Sequence, residues 1–487
     1  MTQRATAGPA KGWEYVIGLE VHTELKTRSK LFCGCPNAFG EEPNTSICPV
    51  CLGLPGSLPV MNAQAVDFAI RVGLALNATV QRSQFHRKNY FYPDMPKDYQ
   101  ISQYDVPINA NGYLELPSGR VIGIERAHLE EDTGKLVHRG GHGRIESAAY
   151  SLIDYNRSGV PLLEIVSAPD IRDPEEAKEY VTELRAILVA VGASDGRMEE
   201  GSLRVDANVS VRPIGEATFR TRVEIKNLNS LRSLVRALTF EGHRQVQLYE
   251  NGEAMIQQTR FWDEERSLTG ALRLKEEAND YRYFPEPDLP PVAPDVELIE
   301  ERRTELPELP SARRGSIAMI LPELSADLRE TIIADACWPY FRSAVDAGIT
   351  PARAAARCAN ELTALLPDIG VLAPERFVEV LAIEDRGDLG ASQVKILLRE
   401  AASDPTPVKE LVTKLGFTAR DEDAMKAMVE EVVIRFPDEW GRYLGGDEKV
   451  AGFLLGQVMR QHGRQISGAG ARQALLALAD EARSGAE

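Results

Sequence analysis

Apolar and polar positions alternate with a period of two through several short runs of the chain. In Tyr15-Val-Ile-Gly-Leu-Glu-Val-His22 the odd positions Tyr15, Ile17, Leu19 and Val21 are apolar. A strand turns successive side chains to opposite faces, so Glu20 and His22 emerge together on the other one. Arg204-Val-Asp-Ala-Asn-Val-Ser-Val211 keeps the period, with Arg204, Asp206, Asn208 and Ser210 opposite Val205, Ala207, Val209 and Val211. Thr221-Arg-Val-Glu-Ile-Lys-Asn227 repeats it, with Arg222, Glu224 and Lys226 outward and Val223 and Ile225 inward. The pattern predicts a mixed or antiparallel sheet with one dry face and one ionic face. Solvation explains a polar face on any one strand; carboxylates converging from several point to a cation.

Helical spacing appears in two places within this region. Asp173-Pro174-Glu175-Glu176 supplies an N-cap, a proline at the first helical position and acids against the dipole. Tyr180, Leu184, Ile187, Leu188 and Val191 then share a face, and Gly192 ends it. A second helix is predicted from about Ser230 to Glu250, with Leu231, Leu234, Val235 and Leu238 inward. Beyond the proline-rich linker Pro285–Pro294 the texture changes to Ala, Leu, Glu and Arg at helical spacing. Ala402-Ser-Asp-Pro-Thr-Pro407 marks a weaker break. The expected class is therefore α+β: a sheet domain over 1–294, an all-α domain over 295–405 and a small helical tail over 406–487.

Composition narrows the function. At 487 residues the chain suggests roughly two to four domains, and 43% hydrophobic with 26% charged residues is the makeup of a globular protein. No apolar run approaches the roughly 18 residues that span a bilayer, so no membrane role is expected. Residues 1–12 lack the apolar core of a secretory signal. A formal charge of −17 opposes general affinity for nucleic acid. The carboxy-terminal end runs against that average: Lys449 to Ala479 contains no Asp or Glu, while Lys449, Arg460, Arg464 and Arg472 are cationic. A tRNA-facing surface and a plain solvated helix pair both fit this stretch.

Two groups of residues carry candidate chemistry. Glu20 and His22, together with His128-Leu-Glu-Glu-Asp132 and Glu164 inside the apolar run Val160–Val166, are what a Mg²⁺ pocket requires: oxygen donors, with water and phosphate completing the octahedron. His22 is the less usual ligand and is expected to reach the ion through water. Cys33-x-Cys35 and Cys48-x-x-Cys51 have the pairing and spacing of a closed, structural four-thiolate zinc site. Cys337 and Cys358 lie in helical sequence and read as core thiols. With only six cysteines and no disulfide framework, a reducing, cytoplasmic setting is expected. The chain has no Gly-x-x-x-x-Gly-Lys-Ser/Thr phosphate loop, no Gly-x-Ser-x-Gly elbow and no constellation suited to glutamine hydrolysis.

Several long words resemble the B-subunit family of the heterotrimeric Asp/Glu-tRNA(Asn/Gln) amidotransferases. They are Val16-Ile-Gly-Leu-Glu-Val-His22, Gly56-Ser-Leu-Pro-Val-Met-Asn62, Arg87-Lys-Asn-Tyr-Phe-Tyr-Pro-Asp94, His128–Asp132, Glu224-Ile-Lys-Asn-Leu-Asn-Ser230, Asp280–Pro290 and Lys449-Val-Ala-Gly-Phe-Leu-Leu-Gly-Gln-Val-Met-Arg460. The resemblance implies a cradle domain, a helical domain and a tRNA-binding tail, with a Mg²⁺ pocket at Glu20, His22, Glu130 and Glu164. It further implies ATP-dependent phosphorylation of the side-chain carboxylate of Glu-tRNA(Gln) or Asp-tRNA(Asn), then amidation by ammonia from an amidase (A) subunit in a complex completed by a small C subunit. Lys88, Arg204 and Lys226 are the candidate phosphate contacts, and salt bridges to Asp206 and Glu224 explain the strand cations equally well. A competing reading makes the chain a non-catalytic, zinc-containing subunit that docks tRNA. Leu272-Arg-Leu-Lys275 departs from the family's Met-Arg-Ser-Lys, and the stretch around His138–Gly143 reads as a loop insertion.

Overall fold

The computed structural model describes residues 8–140, 148–274, 281–417, 422–462 and 468–484. Two compact units emerge, Met1–Ser311 and Ala312–Glu487. Residues 141–143 of the expected insertion, and Lys275 with the side chains of Leu272, Arg273 and Leu274, lie outside the described set.

The first unit is built on strands β1 (Trp13–Glu24), β2 (Thr79–Val80), β3 (Gln84–Asn89), β4 (Tyr99–Val106), β5 (Asn109–Glu115), β6 (Val121–Glu131), β7 (Lys135–Arg139), β8 (Tyr150–Asp154), β9 (Pro161–Ser167), β10 (Leu203–Pro213), β11 (Val223–Leu228), β12 (Gln258–Asp263), β13 (Leu268–Leu274) and β14 (Phe284–Pro285). Its helices are α1 (Ala63–Ala75), α2 (Pro174–Ala190), α3 (Leu231–Glu250) and α4 (Val296–Thr304). One sheet of twelve strands runs in the order β13-β12-β11-β10-β1-β9-β6-β4-β3-β14, with β5 added beside β6 and β2 beside β5. β11 and β12 pair in parallel, while β1 lies antiparallel to both β10 and β9. The sheet is thus mixed, and the α+β expectation holds.

Strand parity behaves as the alternation predicts. Ile17, Leu19 and Val21 of β1 are buried in one core with Val205, Ala207 and Val209 of β10, Leu163 and Ile165 of β9, and Ala127 and Leu129 of β6. Helices α2 and α3 cover this face with Tyr180, Leu184, Ile187, Leu188, Leu234 and Leu238. Asp173 caps α2 by accepting from the Glu175 amide at 2.7 Å, and Ser230 caps α3 from Ser233 at 3.0 Å. Both helices therefore start where their capping residues place them.

The proline-rich linker is strapped to the sheet. β14 pairs with β3 at the margin, where an imino nitrogen forfeits no ladder bond. Ser83 and Val292 exchange backbone hydrogen bonds at 2.8 and 2.9 Å. Buried Glu286 accepts two bonds from Arg87, at 2.6 and 2.8 Å. Past the linker, Leu298 and Ile299 of α4 still rest on the first core, and Arg302 and Arg71 tie α4 to α1 through Asp67 and Glu305.

The second unit is helical throughout its described residues. One core runs from Ile317 to Phe417 and another from Met425 to Ala479. Cys337 and Cys358 are buried in the first of these, as core thiols.

α3 packs tightly on β1: a Cβ on Gly242 would fall 2.2 Å from Cε1 of the buried Tyr15. Gly242→Ala should therefore destabilise the chain by about 1–3 kcal/mol through overpacking, although alanine favours helices over glycine by about 1 kcal/mol. Urea unfolding measures the sign, and a stabilised variant would contradict the packing described.

Candidate functional site

The ionic face is ordered by register. His22 of β1 sits opposite Arg204 of β10 on one side and Glu164 of β9 on the other. Glu164 in turn faces His128 of β6. The neighbouring row contains Asp206, Glu20, Val166 and Arg126, paired in that order across the same four strands. Directly opposed residues share a face, so groups separated by more than a hundred residues in sequence are brought within reach.

His22, Glu130 and Glu164 form the cluster, each contributing one ligand atom within 4.8 Å of the others. His22 Nε2 lies 3.8 Å from Glu130 Oε1 and 3.7 Å from Glu164 Oε2. Glu20, expected with them, stands one row away, and its carboxylate accepts from Asn208 Nδ2 at 2.8 Å. It lines an adjoining cleft of about 320 Å³ together with Val166, Asn208, Ser210, Glu125 and Arg222.

Burial, and then the neighbouring Glu164, push Glu130 up to about 7. Burial likewise raises Glu164, but His128, His22, Arg126 and Lys88 outweigh it and hold that carboxyl below its ordinary range. Glu20 is raised by burial and by Glu164, against the Asn208 hydrogen bond. Carboxylates packed this closely repel one another, and a proton or a divalent cation relieves the repulsion. Two carboxylates and an imidazole, with space on the Glu20 side for water, fit such an ion.

The sequence pattern did not single out His128 as a site residue, although it heads the His128–Asp132 motif. It is fully buried. Its Nε2 lies 3.4 Å from Glu164 Oε2, yet neither ring nitrogen has a hydrogen-bond partner. Burial lowers its pKa to about 4, against the attraction of Glu164.

The candidate phosphate cations divide into two kinds. Arg204 is committed to Asp132 at 2.9 Å, and Lys226 to Asp206 and Glu224, both at 2.8 Å. Burial works against the Lys226 ammonium, but those two carboxylates outweigh it and raise its pKa. Lys88 has its ammonium 5.0 Å from the Tyr281 ring centroid, a contact that uses its charge and leaves its N–H donors open.

Cys33, Cys35, Cys48 and Cys51 converge with all four sulfurs within 4.8 Å of one another, so the cluster could hold a metal. No disulfide joins them. The hydrogen bond from Cys33 draws Cys51 down to about 5 against burial, with Lys30 assisting. Burial pushes Cys35 up to about 11. Thiols with such opposed tendencies ionise together only around a cation, which agrees with a closed tetrahedral site.

In the second unit Lys449, Arg460 and Arg472 are exposed, while Arg464 lies outside the described residues. No helix among the described residues is long and apolar enough to cross a membrane.

Comparison with known proteins adds a family. The sequence model of the GatB/GatE catalytic domain matches residues 15–300, and that of the GatB domain matches residues 339–478. The chain is 48% identical to the B subunit of the aspartyl/glutamyl-tRNA(Asn/Gln) amidotransferase of Carboxydothermus hydrogenoformans, over 92% of this chain and 95% of the relative. Proteins of the same name from Moorella thermoacetica and Frankia casuarinae are 48% and 46% identical, covering 93% and 95% of this chain and 96% and 95% of the relatives.

Two outcomes follow from this geometry. Replacing Cys33 or Cys51 with alanine should reduce tightly held zinc from about one ion per purified chain to none, as read by elemental analysis; undiminished zinc in both variants would exclude the four-sulfur site. Glu130, ordinarily near 4.5 but raised to about 7, binds its proton more tightly folded than unfolded. Its contribution therefore favours the fold below pH 4.5 and is lost as pH rises through 7. In chelator, Glu130→Gln should stabilise the chain above pH 7 by on the order of 1–3 kcal/mol and converge with the parent below pH 4.5, in denaturant titrations across pH.

Proposed function

The chain belongs to the B-subunit family of aspartyl/glutamyl-tRNA(Asn/Gln) amidotransferases, and from that we propose that its first unit is where the amide is made. The reaction is ATP-dependent: the side-chain carboxylate of a glutamyl or aspartyl group esterified to tRNA is phosphorylated, and ammonia then displaces phosphate to leave Gln-tRNA(Gln) or Asn-tRNA(Asn). A carboxylate is a poor acyl donor and phosphate a good leaving group, which is why activation precedes amidation.

The observation that carries this reading is the convergence of His22, Glu130 and Glu164 on one sheet face, with Glu20 beside them. These residues would hold Mg²⁺, which when bound offsets charge on phosphate oxygens. Lys88 is best placed of the three candidate cations to hold a phosphate directly. Arg204 and Lys226 act mainly by fixing Asp132, Asp206 and Glu224. Zinc at the four cysteines is structural, and Lys449, Arg460, Arg464 and Arg472 meet tRNA phosphates.

Ammonia comes from an amidase (A) subunit, and a small C subunit completes a cytoplasmic heterotrimer. That the sequence pairs no Cys with His and no Ser with Lys in a pattern suited to glutamine hydrolysis supports that division of labour.

Glu20→Ala and Glu130→Ala should each lower amidation by about a hundredfold or more even when free ammonium replaces glutamine. Ammonium as donor separates loss of the amidating site from loss of ammonia delivery. Full activity in both variants under these conditions would sink the proposed site.

A further inference from the structure

Partly exposed arginines in the first unit mostly have acceptors. Arg87 is held by Glu286, Arg204 by Asp132, Arg212 by Glu14, and Arg157 by two backbone carbonyls. Arg126 differs. Its side chain is only 20% exposed, and its Nε is buried without a hydrogen-bond partner. Its terminal nitrogens approach carboxylates only at 3.7 Å from Glu125 and 4.0 Å from Glu164, beyond hydrogen-bond reach.

Something else holds this guanidinium in place. It lies 4.5 Å from the ring centroid of Tyr104, which is stacked on Tyr283 at 5.4 Å and 20°. A cation–π contact fixes the plane of the fork and consumes none of its N–H donors. Backbone geometry aims it as well. β6 slips register between Ile124 and Arg126, so that Ile122 and Ile124 lie in the core while Arg126, His128 and Glu130 share the ionic face. Bulges that redirect a side chain are common beside active sites.

The surroundings indicate which ligand fits. Arg126 stands opposite Val166, and Val166 stands opposite Glu20. Val166 and Glu20 both line the cleft, so an apolar floor separates the guanidinium from the Asn208-bound carboxylate. Next to Arg126 on the strand, His128 presents two further ring nitrogens without partners. With Arg204 and Lys226 already committed, the Tyr104-braced fork of Arg126 matches one planar monoanion better than a polyphosphate.

We propose that Arg126 is the substrate-binding residue that receives the side-chain carboxylate of the aminoacyl group, an oxyanion held bidentately on the Tyr104-braced guanidinium beside Glu164. This rests on the amidation reading above. It explains how the carboxylate to be activated is selected: uncharged tRNA lacks the anion that completes Arg126.

The test uses the assembled amidotransferase containing this chain, with free ammonium as donor. Arg126→Gln should raise the KM for mischarged Glu-tRNA(Gln) about tenfold or more, and Arg126→Lys should restore little of it, because an ammonium lacks the fork. The Kd for the same tRNA uncharged and the KM for ATP should stay within about twofold of the parent, and thermal unfolding should be unchanged. If Arg126→Gln fails to assemble, Arg126→Lys, which retains charge and bulk, carries the same comparison. Unaltered KM for the mischarged tRNA overturns the proposal. So does a change confined to ATP, which would assign the oxyanion to the nucleotide. A parent complex that makes no amide with ATP and ammonium would instead defeat the functional reading, independently of any variant.

Discussion

The register of β1 between β9 and β10 is the constraint on which the rest depends. A strand has two faces and no intermediate, so a slip of one residue would carry Glu20 and His22 into the core and Leu19 and Val21 into water. Burial of Ile17, Leu19 and Val21 against α2 and α3 makes that slip prohibitive. The packing that stabilises the sheet thus also aligns His22 with Glu164, and Glu164 with His128. Hydrophobic packing on one face places the chemistry on the other.

The aligned groups are not at ease there. Glu130 is pushed up to about 7 by burial and by Glu164, and His128 is driven down to about 4 with no partner for either ring nitrogen. Arrangements of this kind cost stability and are kept where function uses them. Elsewhere on the same face the charges are satisfied: Lys226 lies between Asp206 and Glu224, and Thr259 donates to Glu224 at 2.9 Å. The contrast separates a half of the ionic face whose charges are paired, around β10 to β12, from a strained half around β6, β9 and β1.

Two peripheral devices bear on that strained half. β14 returns from the end of the unit to pair with β3, bringing Tyr283 against Tyr104. On the reverse side of β6, Glu131 takes Lys97 and the Ile101 amide, anchoring the strand one residue from Glu130. Gly159 brings the two sides together: a Cβ there would meet Cys51, buried Lys30 and Glu131 within 4 Å. The cysteine cluster therefore stands next to the strand that carries Glu130, so a closed metal at that point would stiffen the site without entering its chemistry.

By itself the sequence determined whatever depends on nearest neighbours along the chain: the parity that puts Glu20 and His22 on one face, the cap at Asp173, and the paired cysteines. Its long motifs identified the family and pointed to Glu130 and Glu164. Tertiary structure alone decided which strands lie side by side, and hence that His22 faces Glu164 and that Arg204 is spent on Asp132. It also decided which face Arg126 and His128 occupy. Counted by parity from Ile122 and Ile124, both belong in the core; the slip in β6 turns them outward. Alternation is a property of one strand, whereas register and bulges are set by hydrogen bonding between strands far apart in sequence, and no local pattern encodes that alignment.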